Sequence, residues 1–89
     1  MPTEFALQQN YPNPFNPTTV ISYQLPVASY VTLKVYDMLG REVATLMNGA
    51  QDAGYKSVEF SAANLPSGIY TYKLTAGTFV EVKKMLMIK

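Results

Sequence analysis

The side chains that could carry out catalysis are few in this chain of 89 residues. The sequence contains neither histidine nor cysteine, which excludes nucleophile–histidine chemistry and metal sites built on imidazole or thiolate. Two of its six carboxylates could in principle serve a glycosidase. Each, however, lies in a predicted turn or at an outward strand position, where a solvated charge is the usual outcome. The carboxylates belong to Glu4, Asp37, Glu42, Asp52, Glu59 and Glu81. We therefore expect no enzymatic activity and no cofactor.

Calcium is the remaining metal to consider. Asn48 and Asp52 lie in one predicted loop and could supply oxygen ligands. That loop lacks the dense series of oxygen ligands that a calcium site needs. We therefore expect no metal site in this chain.

The charge composition limits the partners of the chain. Its formal net charge is +1, and 15% of its residues are charged. These values argue against a nucleic-acid binder, which carries a basic excess or stripe, and against an acidic disordered tail. No apolar run approaches the roughly 20 residues that a membrane-spanning helix requires. The first residues also lack the basic patch and apolar stretch of a signal peptide, and the absence of cysteine leaves the redox compartment open.

A Pro/Asn-rich segment, residues 10–18, is the most distinctive feature of the sequence. Pro12, Pro14 and Pro17 alternate there with asparagines. Each proline removes a backbone donor and pushes the preceding residue out of the helical region. The segment is therefore predicted to be stiff, extended and unable to pair fully into a sheet. Its residue types are also those of an ordinary ordered loop that caps a β-domain.

Period-two alternation of apolar and polar residues predicts β-strands in the rest of the chain. It is clearest where Val31, Leu33 and Val35 point one way while Thr32 and Lys34 point the other. The predicted strands span residues 4–9, 19–25, 30–36, 41–46, 55–60, 69–75 and 79–88. About seven short strands separated by turns indicate an all-β fold, an immunoglobulin-like antiparallel β-sandwich. We predict a single domain over residues 1–89, with the sandwich at residues 19–89.

Turn residues set the ends of these strands. Asp37 and Gly40 bound a predicted type I turn that is closed by a left-handed glycine. Residues 47–54 are predicted to form a loop, and residues 65–68 a turn that includes Gly68. Tyr70 follows at the start of the sixth strand and is a candidate tyrosine corner, its hydroxyl bonding back to the upstream backbone. The alternative is a plain core tyrosine whose hydroxyl reaches solvent.

Four motifs in order resemble one protein family over nearly the whole chain. Residues 9–17, Gln-Asn-Tyr-Pro-Asn-Pro-Phe-Asn-Pro, are similar to the opening signature of the type A C-terminal sorting domain of the type IX secretion system of Bacteroidota and related phyla. Residues 35–43 resemble the second motif. Residues 67–70, with Gly68 and Tyr70, resemble the third, a Gly-x-Tyr. Lys83 and Lys84, followed by the final Ile-Lys, resemble the fourth, a basic C-terminal strand.

The resemblance implies a role as a secretion address. Such a domain follows an N-terminal cargo domain in a precursor, crosses the periplasm and directs the cargo through the outer-membrane translocon to the cell surface or the medium. A sortase-like surface peptidase commonly removes it. The chain is then expected to be a fragment from the C-terminal end of a longer precursor whose signal peptide lies at the other end. The resemblance assigns translocon recognition to Pro12, Asn13, Pro14, Gly68, Tyr70, Lys83, Lys84 and Lys89.

Two features of the last strand could contribute to recognition of a folded sorting domain. A long last strand at the chain end offers unpaired backbone groups to a partner if it lies at a sheet edge. The lysines Lys83, Lys84 and Lys89 either protect that edge from indiscriminate pairing or face an acidic surface on the translocon.

Two other functions fit a β-sandwich. The first is an immunoglobulin-like spacer or a carbohydrate-binding accessory module. Carbohydrate binding needs exposed planar aromatics, whereas this chain has no tryptophan and most of its tyrosines fit core positions. A structural domain resembling the immunoglobulin-like part of the flagellar hook-capping protein would share the Gly-Arg-Glu-Val and Gly-x-Tyr segments. The Pro-Asn-Pro sequence and the terminal lysines favour sorting over both alternatives.

Overall fold

The computed structural model describes all residues from Met1 to Lys89, and it contains seven strands and no helix. The all-β prediction is therefore confirmed. The strands are β1 (Ala6–Leu7), β2 (Thr18–Leu25), β3 (Ser29–Tyr36), β4 (Glu42–Gln51), β5 (Gly54–Ser61), β6 (Gly68–Ala76) and β7 (Phe79–Met87).

The strands form two antiparallel sheets that face each other as a β-sandwich. One sheet has three strands in the order β1-β2-β5, and the other has four in the order β4-β3-β6-β7. The fourth strand therefore pairs with β3. In the constant-type immunoglobulin arrangement the fourth strand instead belongs to the sheet of the first, second and fifth strands. This order leaves β4 and β7 at the edges of the larger sheet.

The core lies between the sheets and follows the alternation in the sequence. The central strands β2, β3 and β6 bury every second residue. Together with neighbouring segments they form a cluster of 16 buried apolar residues. The members from β2 and β3 are Ile21, Tyr23, Leu25, Val31, Leu33 and Val35. Alternation is strongest in these strands because each has one face on the core and the other toward solvent.

The prediction of a loop over residues 47–54 is wrong. Strand β4 continues through Asn48 and Gly49 to Gln51, and only a short connection separates it from β5. Thr32 pairs with Asn48 and Val31 with Gly49. The Tyr30 hydroxyl also donates to the Asn48 Oδ1, at 2.7 Å. Pairing with β3 thus overrides the local turn preference of an Asn-Gly sequence.

Smaller differences concern strand ends. The first strand has two residues, Ala6–Leu7, instead of the predicted six or so. Gly68 opens β6 and does not belong to the preceding turn, although its φ of +152° is still one that side-chain-bearing residues rarely adopt. The connection between β6 and β7 is a two-residue turn with Gly77 at φ +61°. A positive φ at the first central position alone is typical of a type II′ hairpin turn.

The Asp37 turn has the predicted form. The Gly40 N–H donates to the Asp37 carbonyl at 3.0 Å, and Gly40 has a φ of +81°. The Asp37 carboxylate accepts the backbone N–H groups of Leu39 and Arg41 and also the Arg41 Nε–H. These hydrogen bonds, above all the one from the Arg41 backbone, hold the pKa of Asp37 below its usual value. The left-handed glycine of this turn is therefore confirmed.

Candidate functional site

The Pro/Asn-rich segment is fixed to the sandwich by a buried polar network. Asn10 is 2% exposed, and its backbone N–H donates to the Tyr72 hydroxyl at 2.8 Å. Its side-chain amide donates to the Pro12 carbonyl and to the Thr19 hydroxyl. The Tyr72 hydroxyl in turn donates to the Gln8 carbonyl at 2.8 Å. Every buried polar side-chain atom of the protein has a hydrogen-bond partner, so this network satisfies the groups that it buries.

The Tyr72 hydroxyl shows how deeply this network lies. Tyr72 is fully buried, and burial raises the pKa of its phenol to about 12 from the usual 10.0. The hydrogen bond from Asn10 opposes the rise, and the nearby charge of Glu81 adds to it. The phenol therefore remains protonated at neutral pH and can donate and accept at once.

An aromatic side chain provides the second anchor of the segment. Phe15 is 2% exposed and lies edge-on to Phe60, with ring centroids 6.2 Å apart. Burying one such side chain stabilises a fold by about 1.5–3 kcal/mol. The neighbouring prolines Pro12 and Pro14 remain exposed, and all three peptide bonds that precede prolines in this segment are cis. The segment thus has an anchored side and a solvent side.

The anchored side of the segment runs along the outer edge of β7. The Phe15 N–H donates to the Leu86 carbonyl at 3.0 Å, and the Ile88 N–H donates to the Phe15 carbonyl at 2.9 Å. The Asn13 Oδ1 accepts the Leu86 N–H, and the Gln9 side-chain amide donates to the Lys84 carbonyl. The predicted open edge of the last strand is therefore covered from Lys84 to Ile88. The prediction that the segment cannot pair fully is also confirmed, because only its last residue, Thr18, belongs to a strand, and residues 10–17 form only isolated bridges, to Val20 and Met87.

The second and third sequence motifs meet at one end of the sandwich. The Asp37 turn and residues 66–70 line a shallow groove of about 190 Å³. Tyr70 forms its inner wall, and its hydroxyl donates to the Pro66 carbonyl at 2.5 Å. This hydrogen bond, back to a residue four positions upstream, confirms the tyrosine corner. Burial and the nearby Asp37 charge both raise the pKa of Tyr70.

The three C-terminal lysines do not share one face. Lys83 is half-buried on the core-facing side of β7, where its Nζ lies 3.3 Å from the Glu81 carboxylate. Lys84 is exposed on the opposite, outer face, because adjacent strand residues alternate. Lys89 is exposed, and its backbone N–H donates to the Ser67 hydroxyl. The expectation that every carboxylate points outward is wrong for Glu81.

The structure brings only part of the predicted site together. Asn13 and Lys84 border one shallow apolar depression beside Leu86, and Gly68 pairs with Met87 on the neighbouring strand. Tyr70 is 3% exposed, so its side chain belongs to the core. Among the seven tyrosines, only Tyr23, Tyr70 and Tyr72 are buried, so the expectation that most tyrosines are core residues is wrong.

Sequence reasoning missed the residues that hold the segment in place. Gln9, Asn10 and Thr19 carry side-chain hydrogen bonds within it or to β7. The Asn10 side-chain amide donates to the Pro12 carbonyl. This is not an Asx turn, in which the side-chain oxygen accepts the N–H two residues later, because proline has no N–H, so no turn motif marks Asn10. Its contact with Tyr72 joins residues 62 positions apart and has no local signal.

The carboxylates of this protein do not gather into a metal-binding cluster. No group of three or more His, Cys, Asp or Glu side chains lies close enough to hold a metal ion. No helix is present that could cross a membrane. The exposed features are instead the strand edges, the grooves and the turns described above, which are suited to contact with another protein.

The fold and these surfaces define a β-sandwich with a clamped N-terminal segment and a basic last strand. Comparison with family models places residues 9–89 in the secretion system C-terminal sorting domain family. The chain therefore belongs to that family, and it is a C-terminal signal for export of a cargo protein by the type IX secretion system. A sorting signal of this kind is not expected to be catalytic. It implies a precursor that carries cargo, recognition by the secretion machinery and delivery to the cell surface or the medium.

A solved structure has a similar fold. It is that of PorZ, a bacterial surface component of the type-IX secretion system of Porphyromonas gingivalis. The two share 18% sequence identity with a TM-score of 0.64. The match covers 91% of this chain and 11% of the PorZ chain, so this chain corresponds to a small part of that protein. No curated protein matches the chain.

Proposed function

We propose that the type IX translocon recognises this chain as a folded domain, through the surface that the Pro/Asn-rich segment and β7 form together. In this proposal residues 1–89 form one sorting domain that follows an N-terminal cargo domain. It is recognised in the periplasm, admitted to the outer-membrane translocon and then removed by a sortase-like surface peptidase. The likeness to part of PorZ, itself a component of that system, supports a shared scaffold.

One observation carries the proposal: the first and last motifs are hydrogen-bonded to each other. Phe15 and Asn13 contact Leu86, and Gln9 contacts Lys84, across 71 to 75 positions of sequence. A receptor that binds there meets residues from both ends of the chain only when the domain is folded. The translocon would then select a chain for its folded state as well as for its sorting motifs.

The predicted recognition residues take different roles in this proposal. Pro12, Asn13 and Pro14 present the exposed strip of the segment, and Lys84 and Lys89 supply positive charge beside it. Gly68 and Tyr70 act indirectly by shaping the turn that meets the chain end. The ion pair of Lys83 with Glu81 supports a mainly structural role for that lysine.

Export of a reporter fused before this chain tests the proposal in a type IX-competent bacterium. The double variant Lys84→Gln with Lys89→Gln removes the two exposed positive charges beside the segment and keeps the chain length and the ion pair of Lys83 with Glu81. Surface changes of this kind shift stability by within about 0.5 kcal/mol each, so the melting temperature should stay near that of the parent. We expect the reporter to accumulate in the periplasm.

A matched variant separates recognition from total charge. Lys34→Gln with Lys56→Gln also removes two positive charges, but away from the segment, on β3 and β5. We expect this variant to be exported like the parent. Normal export of the folded variant with Lys84→Gln and Lys89→Gln would refute the role of these two lysines, and equal loss in both double variants would point to net charge instead of a defined surface.

A further inference from the structure

The edge of β7 is divided into a covered half and an open half. Leu86, Lys84 and Ile88 direct backbone groups outward to the Pro/Asn-rich segment. Backbone direction alternates along an antiparallel strand, and β7 pairs with β6 in an unbroken register. Val80 and Val82 therefore direct their N–H and C=O groups to the same outer edge. No strand pairs with them there, because β6 is the sole partner of β7.

The covered half shows that this edge accepts an added chain. The segment lies parallel to β7 at the Phe15–Met87 bridge and bonds to Leu86 and Ile88 through its main chain. The Lys84 carbonyl is the last group covered, and its donor is the side chain of Gln9, the residue just before the segment. An extended peptide placed beside Val80 and Val82 would continue that row of hydrogen bonds along the strand.

The charge around the open half favours one kind of partner. The outer face of β6 and β7 presents Lys73 and Lys84 and no carboxylate. Lys73 lies directly opposite Val82 across the two strands, and Val80 and Val82 are 54% and 53% exposed. A second copy of this chain offers no carboxylate on this face. Paired antiparallel about Lys84 it places lysine beside lysine, and paired about Val82 it places Val80 beside Lys84. An acidic residue beside Lys84 would instead be attracted.

The core-facing side of the same edge restricts what can be added. Glu81 and Lys83 lie there, half-buried and paired with each other. Inward charges are a common protection against indiscriminate strand pairing. A partner strand must therefore place small polar residues on that side, so that the existing ion pair is kept.

We propose that residues 80–84 form a strand-addition site for an extended acidic segment of a partner protein. The segment pairs antiparallel with β7, as β6 does on the other side of that strand. It places an acidic side chain beside Lys84 and apolar side chains beside Val82 and Val80, and turns small polar residues toward Glu81 and Lys83. This proposal rests on the proposed function for the identity of the partner. Binding itself is tested on the purified chain, so its failure would leave the export proposal standing.

The test uses a synthetic peptide, Thr-Glu-Thr-Val-Thr-Val-Thr with blocked ends, and a control with lysine in place of glutamate. Binding is followed by amide chemical shifts of the labelled chain. We expect shifts at Val80, Val82 and Lys84, and binding of the control peptide weaker by roughly fivefold or more, the factor that one charge-assisted contact supplies. Raising the salt concentration should reduce that difference.

A pair of variants tests strand addition directly. Val82→Pro removes an outward N–H and is compatible with an edge strand, whereas Val82→Ile keeps that donor. We expect the proline variant, once its melting temperature is shown to be near that of the parent, to lose roughly fivefold or more in affinity. The isoleucine variant should bind like the parent.

Four outcomes would overturn the proposal. The first is equal binding of both peptides, or no binding of either. The second is equal binding by the proline and isoleucine variants. The third is concentration-dependent shifts at Val82 without peptide, which would assign the edge to a second copy of the chain. The fourth is that dextran sulfate binds at Lys73 and Lys84 more tightly than the peptide does and binds Val82→Pro equally well. That result would assign the surface to anionic glycans.

Discussion

Replacing Tyr72 by phenylalanine removes one oxygen atom from the network that fixes the Pro/Asn-rich segment. That hydroxyl accepts the Asn10 N–H and donates to the Gln8 carbonyl, both at 2.8 Å. The two partners differ in exposure, since Gln8 is exposed whereas Asn10 is 2% exposed. Water can therefore replace the hydroxyl at the Gln8 carbonyl, but the Asn10 N–H would be left buried without a partner.

The expected cost follows from this difference. A hydrogen bond contributes about 1 kcal/mol net, and a buried donor left unpaired costs about 1–3 kcal/mol. We therefore expect Tyr72→Phe to lower the free energy of unfolding by about 2–3 kcal/mol. For a domain of this size each kcal/mol lowers the melting temperature by about 4–8 °C, so the shift should be about 10 °C or more. Thermal unfolding followed by far-ultraviolet circular dichroism measures it.

Two further readouts distinguish loss of this network from general destabilisation. Hydrogen exchange at the Asn10 amide should accelerate more than exchange in β3, because the opening is local. The pKa of Tyr72, raised to about 12 in the folded state from 10.0, also gives an alkaline signature. Tyr72 with its phenol protonated stabilises the folded state fully below pH 10, and this stabilisation is lost as pH rises toward 12. Tyr72→Phe should therefore lose less stability than the parent over that range.

A specific result would refute this reasoning. If Tyr72→Phe melts within about 2 °C of the parent, less than the shift of a single kcal/mol, the buried network does not stabilise the fold. Asn10 would then find water or relax without cost.

The remaining predictions concern the turns and the second tyrosine. Gly40→Val should lower stability by more than about 1 kcal/mol, because a φ of +81° is strained for any side chain although no atom lies within 4 Å of an added Cβ. Gly49→Ala, at an ordinary φ, is the control. Equal melting temperatures of the two variants would contradict the assignment of this turn. Tyr70→Phe should cost about 1 kcal/mol in urea unfolding, more than Tyr30→Phe, whose exposed hydroxyl contacts Asn48; equal midpoints would show that the corner hydrogen bond contributes nothing. The depressed pKa of Asp37 gives stabilisation that is present above pH 3.8 and is lost as pH falls further; Asp37→Asn should flatten that acid response, and an unchanged pH profile would assign it to other carboxylates.

Strand positions were predictable where one face of a strand meets the core. Val31, Leu33 and Val35 are fully buried, and the alternation that encodes this is visible in five consecutive residues. The Asn48-Gly49 sequence was misleading because its turn preference is local, whereas its pairing partner lies in β3. A local preference of this size yields to the tertiary pairing of a strand.

The site was harder to predict because its contacts are distant in sequence. The importance of the Pro/Asn-rich segment and of the last strand was visible in their residue types. Their direct contact was not, since the hydrogen bond of Asn13 to Leu86 joins residues 73 positions apart. The opposite directions of Lys83 and Lys84 follow from strand alternation, which places adjacent residues on opposite faces of β7. The three lysines therefore do not form the single charged group that their residue type suggests.

The spacing of the prolines has a physical reason in this structure. Within the segment, Asn13 and Phe15 face β7 and provide its hydrogen bonds, whereas Pro12 before them and Pro14 between them face solvent. A residue that faces solvent does not need its N–H for pairing, so proline costs no hydrogen bond there. The same prolines cannot donate to another strand, and they restrict the chain that carries the anchors. The alternation of proline with asparagine or phenylalanine therefore produces a segment that closes half of the β7 edge on one side and does not extend the sheet on the other.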